Sequence, residues 1–239
     1  MKTNHLRFTT TAFFAAPIFW RTILPLSAAL AVLSGCQSFS EGTASCCDEK
    51  NKGAVANAGA SDPLSSDWAE PSNRPALNLA HPLTRHDGAS IVLKELAGQP
   101  LAISFAYTRC MNPNKCRAVT TTMGTLQRKL GETGLREKVK LVLITYDAQY
   151  DTPQVMRDYA TRNQLALDEH ALYLRPGVDP EHKLFRDLGV NASFNQTGVA
   201  IHGIQLLLVD KLGRVARTYR TLIWDNEQVA KDLERLAKE

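Results

Sequence analysis

The sequence has little net charge once its beginning is set aside. Of the formal +4, three positive charges, Lys2, Arg7 and Arg21, lie in the first 35 residues, which contain no acid. The remaining 25 basic side chains face 24 acidic ones. No basic tract with interleaved aromatics is left, which excludes a nucleic-acid partner. The apolar run Ile23 to Leu33 falls short of the roughly 20 residues that a spanning helix needs. There are no internal repeats, and no proline follows Pro180. What is present is ordinary for a globular protein: 239 residues, 44% hydrophobic, 22% charged and 7% aromatic, the composition of one main domain.

The first forty residues read as an address. Positive charge at Lys2 and Arg7 precedes an apolar run that ends in Leu33-Ser34-Gly35-Cys36. Those four residues resemble the lipobox of bacterial lipoproteins, in which the cysteine is acylated and becomes the new N-terminus. The resemblance implies a signal peptide over 1–35, lipidation at Cys36, and a periplasmic domain anchored to the inner or outer membrane. Outside the cytosol the thiols meet oxidising conditions. Residues 36–75 then form a flexible linker, because Ser, Ala, Gly, Asn and Asp dominate and too few large apolar side chains occur to bury a core. Random-coil scaling gives such a tether a reach of roughly 35 Å. Cys46 and Cys47 lie within it and are expected to be exposed, since nothing nearby would pre-organise a metal or redox site.

From residue 76 to 239 the pattern becomes that of a folded domain. Leu77-Asn78-Leu79 and Ser90 to Leu93, flanking Asp87-Gly88, predict a hairpin. Leu101 to Tyr107 and Val139 to Tyr146 predict buried strands. Val119, Met123, Leu126 and Leu130 recur at helical spacing after Cys116. Thr152-Pro153 and Asp179-Pro180 each carry a capping side chain followed by a first-turn proline, so helices are expected there, the second running through Leu188. Ile204 to Val209 and Val215 to Tyr219 predict paired strands. Asp225 opens a last helix with Val229, Leu233 and Leu236 on one face. The expected fold is α/β, a thioredoxin-like sandwich with an N-terminal β-hairpin.

Cys110 falls just past the end of a predicted central strand and Cys116 just before the next helix. That edge of an open α/β sheet is where ligand and redox groups belong. On a continuous helix the two cysteines would point nearly opposite ways. Pro113 between Asn112 and Asn114 predicts a loop instead, which can return both sulfurs to one point.

Three segments together carry a family resemblance: Phe105-Ala106-Tyr107-Thr108-Arg109-Cys110, then Ile144 to Pro153 with Asp147 and Asp151, then His202 followed by Asp210 and Gly213. In order and approximate spacing they look like the signatures of the SCO/SenC copper proteins, over residues 77 to 239. The resemblance implies that Cys110, Cys116 and His202 are copper ligands. It also implies delivery of copper to, or maintenance of the thiols of, the copper centre of cytochrome oxidase, making that subunit or another copper or thiol protein the partner. The residue types suit the role independently: soft thiolates hold Cu(I), and an imidazole beside them accommodates Cu(II). A Cys110–Cys116 disulfide would exclude the metal, so the same pair is a candidate redox disulfide. No catalytic residue is assigned, and a metallochaperone is expected before an enzyme. Asp147 is a candidate for a place behind the thiols.

The pattern departs from the family in two respects. Five residues, Met111 to Lys115, separate the cysteines where three are usual, and Arg117 stands where a proline usually follows. The rival reading is a periplasmic thiol-disulfide oxidoreductase; its usual two-residue cysteine spacing and its proline near the facing strand are both absent. A third reading is a binding lipoprotein that kept the fold without the metal site. His81, His86, His170 and His182 show no ligand spacing and are expected at the surface.

Overall fold

The computed structural model describes residues 66–239; the proposed signal peptide, Cys36, Cys46 and Cys47 lie outside them. Seven strands form one sheet in the order β2-β1-β5-β4-β3-β8-β9. The strands are β1 (Pro82–Arg85), β2 (Ser90–Val92), β3 (Leu101–Ala106), β4 (Lys140–Thr145), β5 (Ala171–Pro176), β8 (Leu206–Val209) and β9 (Val215–Tyr219). A separate antiparallel hairpin joins β6 (Ala192–Asn195) to β7 (Gly198–His202). The helices are α1 (Ala118–Glu132), α2 (Pro153–Arg162), α3 (Lys183–Asp187) and α4 (Asn226–Lys238).

Strands β3, β4 and β5 run parallel, and β8 pairs antiparallel to β3. The central strands are apolar at successive positions because both faces are covered. On one face Ala102 and Ala106, Leu141 and Leu143, and Leu206 and Leu208 meet Val119, Met123 and Leu126 of α1, Met156 of α2 and Leu233 of α4. On the other, Ile103, Phe105, Val142, Ile144, Leu172 and Leu174 meet Leu184, Phe185 and Leu188. Each of the larger side chains among them, taken from water, contributes about 1.5–3 kcal/mol. The architecture is the expected mixed α/β, thioredoxin-like fold.

Several boundaries differ from the sequence reading. The hairpin forms around Asp87, whose Oδ1 accepts from Ala89 N at 3.0 Å, but its first strand begins at Pro82. Leu77 instead donates its N–H to Gly213 O at 3.0 Å, alongside the β8–β9 turn. Gly213 closes that turn with φ of +79°, a conformation that costs glycine little. The chain is held earlier than residue 76: Ser66 N donates to Thr218 O and Ala69 N to Ala216 O, both at 2.8 Å. Arg74 is buried, with its guanidinium on Asp210 and Glu239.

Thr152 caps α2 as expected, accepting from Val155 N, and Asp225 caps α4 by accepting from Glu227 N at 2.9 Å. Asp179 accepts from Glu181 N and Lys183 N at 3.0 and 2.9 Å, but the residues it gathers form a turn, and α3 starts only at Lys183. His182 ends that turn at φ of +49°. Strand β5, between β1 and β4, has no counterpart in the sequence reading; the run Ala171 to Leu174, stopped by Arg175-Pro176-Gly177, is the signal that locates it. His86, expected at the surface, is buried and accepts from Tyr173 N at 3.4 Å through Nδ1. The turn polarity around Asp87-Gly88 that suggested exposure belongs to its neighbours.

Candidate metal centre

Three chain segments meet at the carboxyl edge of the parallel strands. The loop after β3 carries Tyr107 to Cys110, the loop after β4 carries Asp147 to Asp151, and β7 delivers His202 just before β8 returns through the sheet. The first two loops are joined by Asp151, a fully buried carboxylate. It accepts from Thr108 N at 3.1 Å, from Thr108 Oγ1 at 2.5 Å, and from the Thr145 hydroxyl. Burial pushes the Asp151 carboxyl above its ordinary value, and these hydrogen bonds oppose that push.

The five residues between the cysteines are taken up by an outward stretch at Met111-Asn112 and one π-helical turn, Pro113–Arg117, that runs directly into α1. Such a wide turn accommodates extra residues without breaking the helix behind it. Asn112 fixes its start, with Oδ1 accepting from Asn114 N at 3.0 Å and its carbonyl from Lys115 N at 3.1 Å. Cys116 is thereby turned inward and is 1% exposed, whereas Cys110 stays at the rim, partly exposed. Both are free thiols.

His202 closes the site from the opposite side. Its Nε2 lies 3.7 Å from Cys110 Sγ and 3.5 Å from Cys116 Sγ, and the three donor atoms all lie within 4.8 Å of one another. An ion held at about 2.3 Å from sulfur and about 2.0 Å from nitrogen, the lengths known for zinc, separates such donors by roughly 3.5–3.8 Å at tetrahedral to trigonal angles. The two sulfur–nitrogen distances therefore suit one first-row metal ion. Two thiolates and one imidazole are a soft, nitrogen-containing set of the kind copper takes in both oxidation states.

Aromatic rings orient the imidazole. Tyr107 meets it edge to face, with centroids 5.1 Å apart, and Tyr146 packs against it at 5.5 Å. The Tyr146 hydroxyl donates to Gly203 O at 3.0 Å, pinning the backbone next to His202. Burial, then the two neighbouring sulfurs, pushes the Tyr107 phenol up to about 12. Burial likewise drives the Tyr146 phenol up, so both rings stay neutral. Burial also pushes the Cys116 thiol well up. For His202, burial and then the Lys115 cation hold the imidazole below its ordinary value, which leaves a lone pair free at neutral pH.

Asp147 sits elsewhere than behind the thiols. Its Oδ2 accepts from Arg109 Nε at 2.9 Å and Nη2 at 2.6 Å, and the Arg109 guanidinium lies over the Tyr150 ring at 4.3 Å. It steadies the residue before Cys110 and touches no sulfur. Asp210 is remote from the site: at the other end of β8 it accepts from Leu212 N and Arg214 N at 2.9 Å and pairs with Arg74 and Arg214. Its place in the signature is that of a turn residue. Asp151, Tyr107 and Tyr146 are the supporting residues to which sequence reasoning assigned no place at the site, although all three lie in the segments that carried the resemblance.

A family model described as SCO1/SenC matches residues 69–238. A SCO1/SenC family lipoprotein from Bacillus anthracis superposes with a TM-score of 0.59 at 25% identity, covering 68% of this chain and 96% of that one. ScoI of Bradyrhizobium japonicum, solved with copper bound, gives 0.53 at 26% identity, covering 65% and 96%. BsSco, described as having a disulfide switch and as a member of the Sco family of cytochrome c oxidase assembly proteins, gives 0.60 over 72% and 98%. Its identity of 18% carries the fold alone. Among curated proteins no sequence match was found.

Proposed function

The chain belongs to the SCO1/SenC family, and from that premise we propose that it binds copper through Cys110, Cys116 and His202. It delivers that copper to, or keeps reduced the thiols of, the copper centre of cytochrome oxidase. The observation that carries the reading is the convergence of two free thiols and one imidazole nitrogen, at 3.5 and 3.7 Å, from segments about ninety positions apart in the chain. The copper-bound ScoI relative supports the choice of metal. Lipidation at Cys36 after removal of residues 1–35 tethers the domain to the inner or outer membrane on the periplasmic side. The lipobox-like Leu33-Ser34-Gly35-Cys36 and the Bacillus anthracis lipoprotein relative support this placement.

Each group has a defined task. Cys116, buried, supplies a thiolate from the protein side; Cys110, at the rim, supplies one that a partner can reach; His202 closes the set. Bound copper would supply the electron-accepting centre that the recipient needs, while Asp151 and the Asp147–Arg109 pair hold the Cys110 loop in register. A second reading, thiol-disulfide exchange by Cys110 and Cys116, is favoured by the proximity of two free thiols. The raised Cys116 thiol is a poor nucleophile, so attack would have to begin at Cys110.

The test uses the chain from residue 37 with Cys46→Ser and Cys47→Ser, so that the only thiols are Cys110 and Cys116. One copper per chain, lost in Cys110→Ser, Cys116→Ser and His202→Ala while circular dichroism stays unchanged, is expected. No stoichiometric copper, together with a disulfide that cycles reversibly, would replace the carrier by the oxidoreductase.

A further inference from the structure

Four methionines occur in the sequence: Met1, Met111, Met123 and Met156. Met123 of α1 and Met156 of α2 are fully buried in the core. Met111 is 93% exposed, the most exposed large apolar side chain among the described residues. It stands in an otherwise polar loop, next to the one ligand cysteine that reaches the rim. Its backbone is held on both sides, by Cys110 N on Tyr107 O at 3.4 Å and by the Asn112 turn. The side chain thus projects from a fixed point and retains its three rotatable bonds.

We propose that Met111 is an exchangeable fourth donor to copper, its thioether Sδ taking hold of Cu(I) as the ion enters or leaves the Cys110–Cys116–His202 site. The inference rests on the copper reading above and deepens it. Adjacent Cα atoms are about 3.8 Å apart, so a side chain of this length and freedom can swing from solvent toward the Cys110 rim. A thioether is soft, as Cu(I) requires, yet uncharged and without a proton to lose. Its hold is therefore weaker than a thiolate's and indifferent to pH, which suits a donor that must let go. The step is a ligand exchange: a Cu–Sδ bond forms as one bond from copper to the outside carrier breaks, with no electron or proton transferred. The extra length of the loop between the cysteines thereby gains a use, placing a soft donor outside the three that close the site.

The chain from residue 37 with Cys46→Ser and Cys47→Ser, grown with ¹³C-methyl methionine, is titrated anaerobically with one equivalent of Cu(I). The Met111 methyl resonance, assigned by its loss in Met111→Leu, is expected to move while those of Met123 and Met156 stay. Met111→Leu keeps size and apolarity but removes sulfur. It is expected to bind one copper still and to pass it to a bicinchoninate chelator about tenfold more slowly, the factor that 1.4 kcal/mol of lost contact represents. With one copper bound, an unmoved Met111 resonance, or a leucine variant that exchanges as fast as the parent, would overturn the proposal and leave Met111 an apolar contact. Failure of the parent itself to bind copper would overturn the copper reading and this proposal with it.

Discussion

Copper affinity should rise steeply with pH, and the buried cysteine sets the slope. The Cys116 thiol is 1% exposed and burial pushes it well above its ordinary value, so between about pH 6.5 and 8.5 it carries its proton in the metal-free protein. Copper takes the thiolate, and that proton must leave when the ion binds. His202 adds little to the slope, because burial and then the Lys115 cation hold its imidazole below the ordinary value and favour the neutral form. Each proton displaced makes the apparent binding constant change about tenfold per pH unit. From pH 6.5 to 8.5 Cys116 alone should therefore tighten Cu(I) binding about a hundredfold, the affinity falling as pH falls. Competition against a chelator of known protonation, at three pH values and fixed ionic strength, gives the slope. Because Cys116→Ser is expected to lose the copper, the parent's own slope is the readout: it should be at least about one, with whatever Cys110 adds coming on top. A slope clearly below one would refute the argument and mean that Cys116 is already a thiolate despite its burial.

Two further outcomes test the frame that holds the site. Arg74→Ala removes the pairing with Glu239 and a 2.9 Å bond from Nε to Ala69 O, but Asp210 keeps Arg214 and two backbone N–H groups. The loss should therefore lie near or below the usual 3–5 kcal/mol for breaking a buried pair, about 2–4 kcal/mol. Thermal circular dichroism should show Tm falling by roughly 5–15 °C, and a fall below about 3 °C would mean that residues 66–75 are not integral to the domain. Gly124→Ala sets helix propensity against packing: alanine in a helix interior normally gains about 1 kcal/mol over glycine. Here the new Cβ would lie 2.2 Å from Gln164 O and 2.8 Å from Gln164 C, which are backbone atoms. A destabilisation of about 1–3 kcal/mol is expected, read as a lower urea midpoint, and a higher midpoint would contradict the close approach of α1 to that loop.

The sequence by itself determined those elements whose signal is local. Unbroken apolar runs marked β3 and β4, helical spacing of Val119, Met123, Leu126 and Leu130 marked α1, and single capping side chains, Thr152 and Asp225, marked the starts of α2 and α4. These readings hold because periodicity and capping act over a few residues, where one side chain's placement depends on its immediate neighbours. It also nominated Cys110, Cys116 and His202, though His202 only through its resemblance to a family pattern. Tertiary structure alone decided the rest. Asp147 and Asp151 look equivalent in sequence, yet one faces Arg109 and the other ties Thr108 to Thr145 in the interior, because the β3–β4 pairing brings residues about forty positions apart into contact. Arg74 fell within the expected linker and His86 read as polar surface, but one is buried on the Asp210 turn and the other lies over β5. Above all, the approach of His202 to both sulfurs spans 86 and 92 positions. It depends on β7 ending where β8 enters the sheet beside β3, a long-range coincidence that no local pattern encodes.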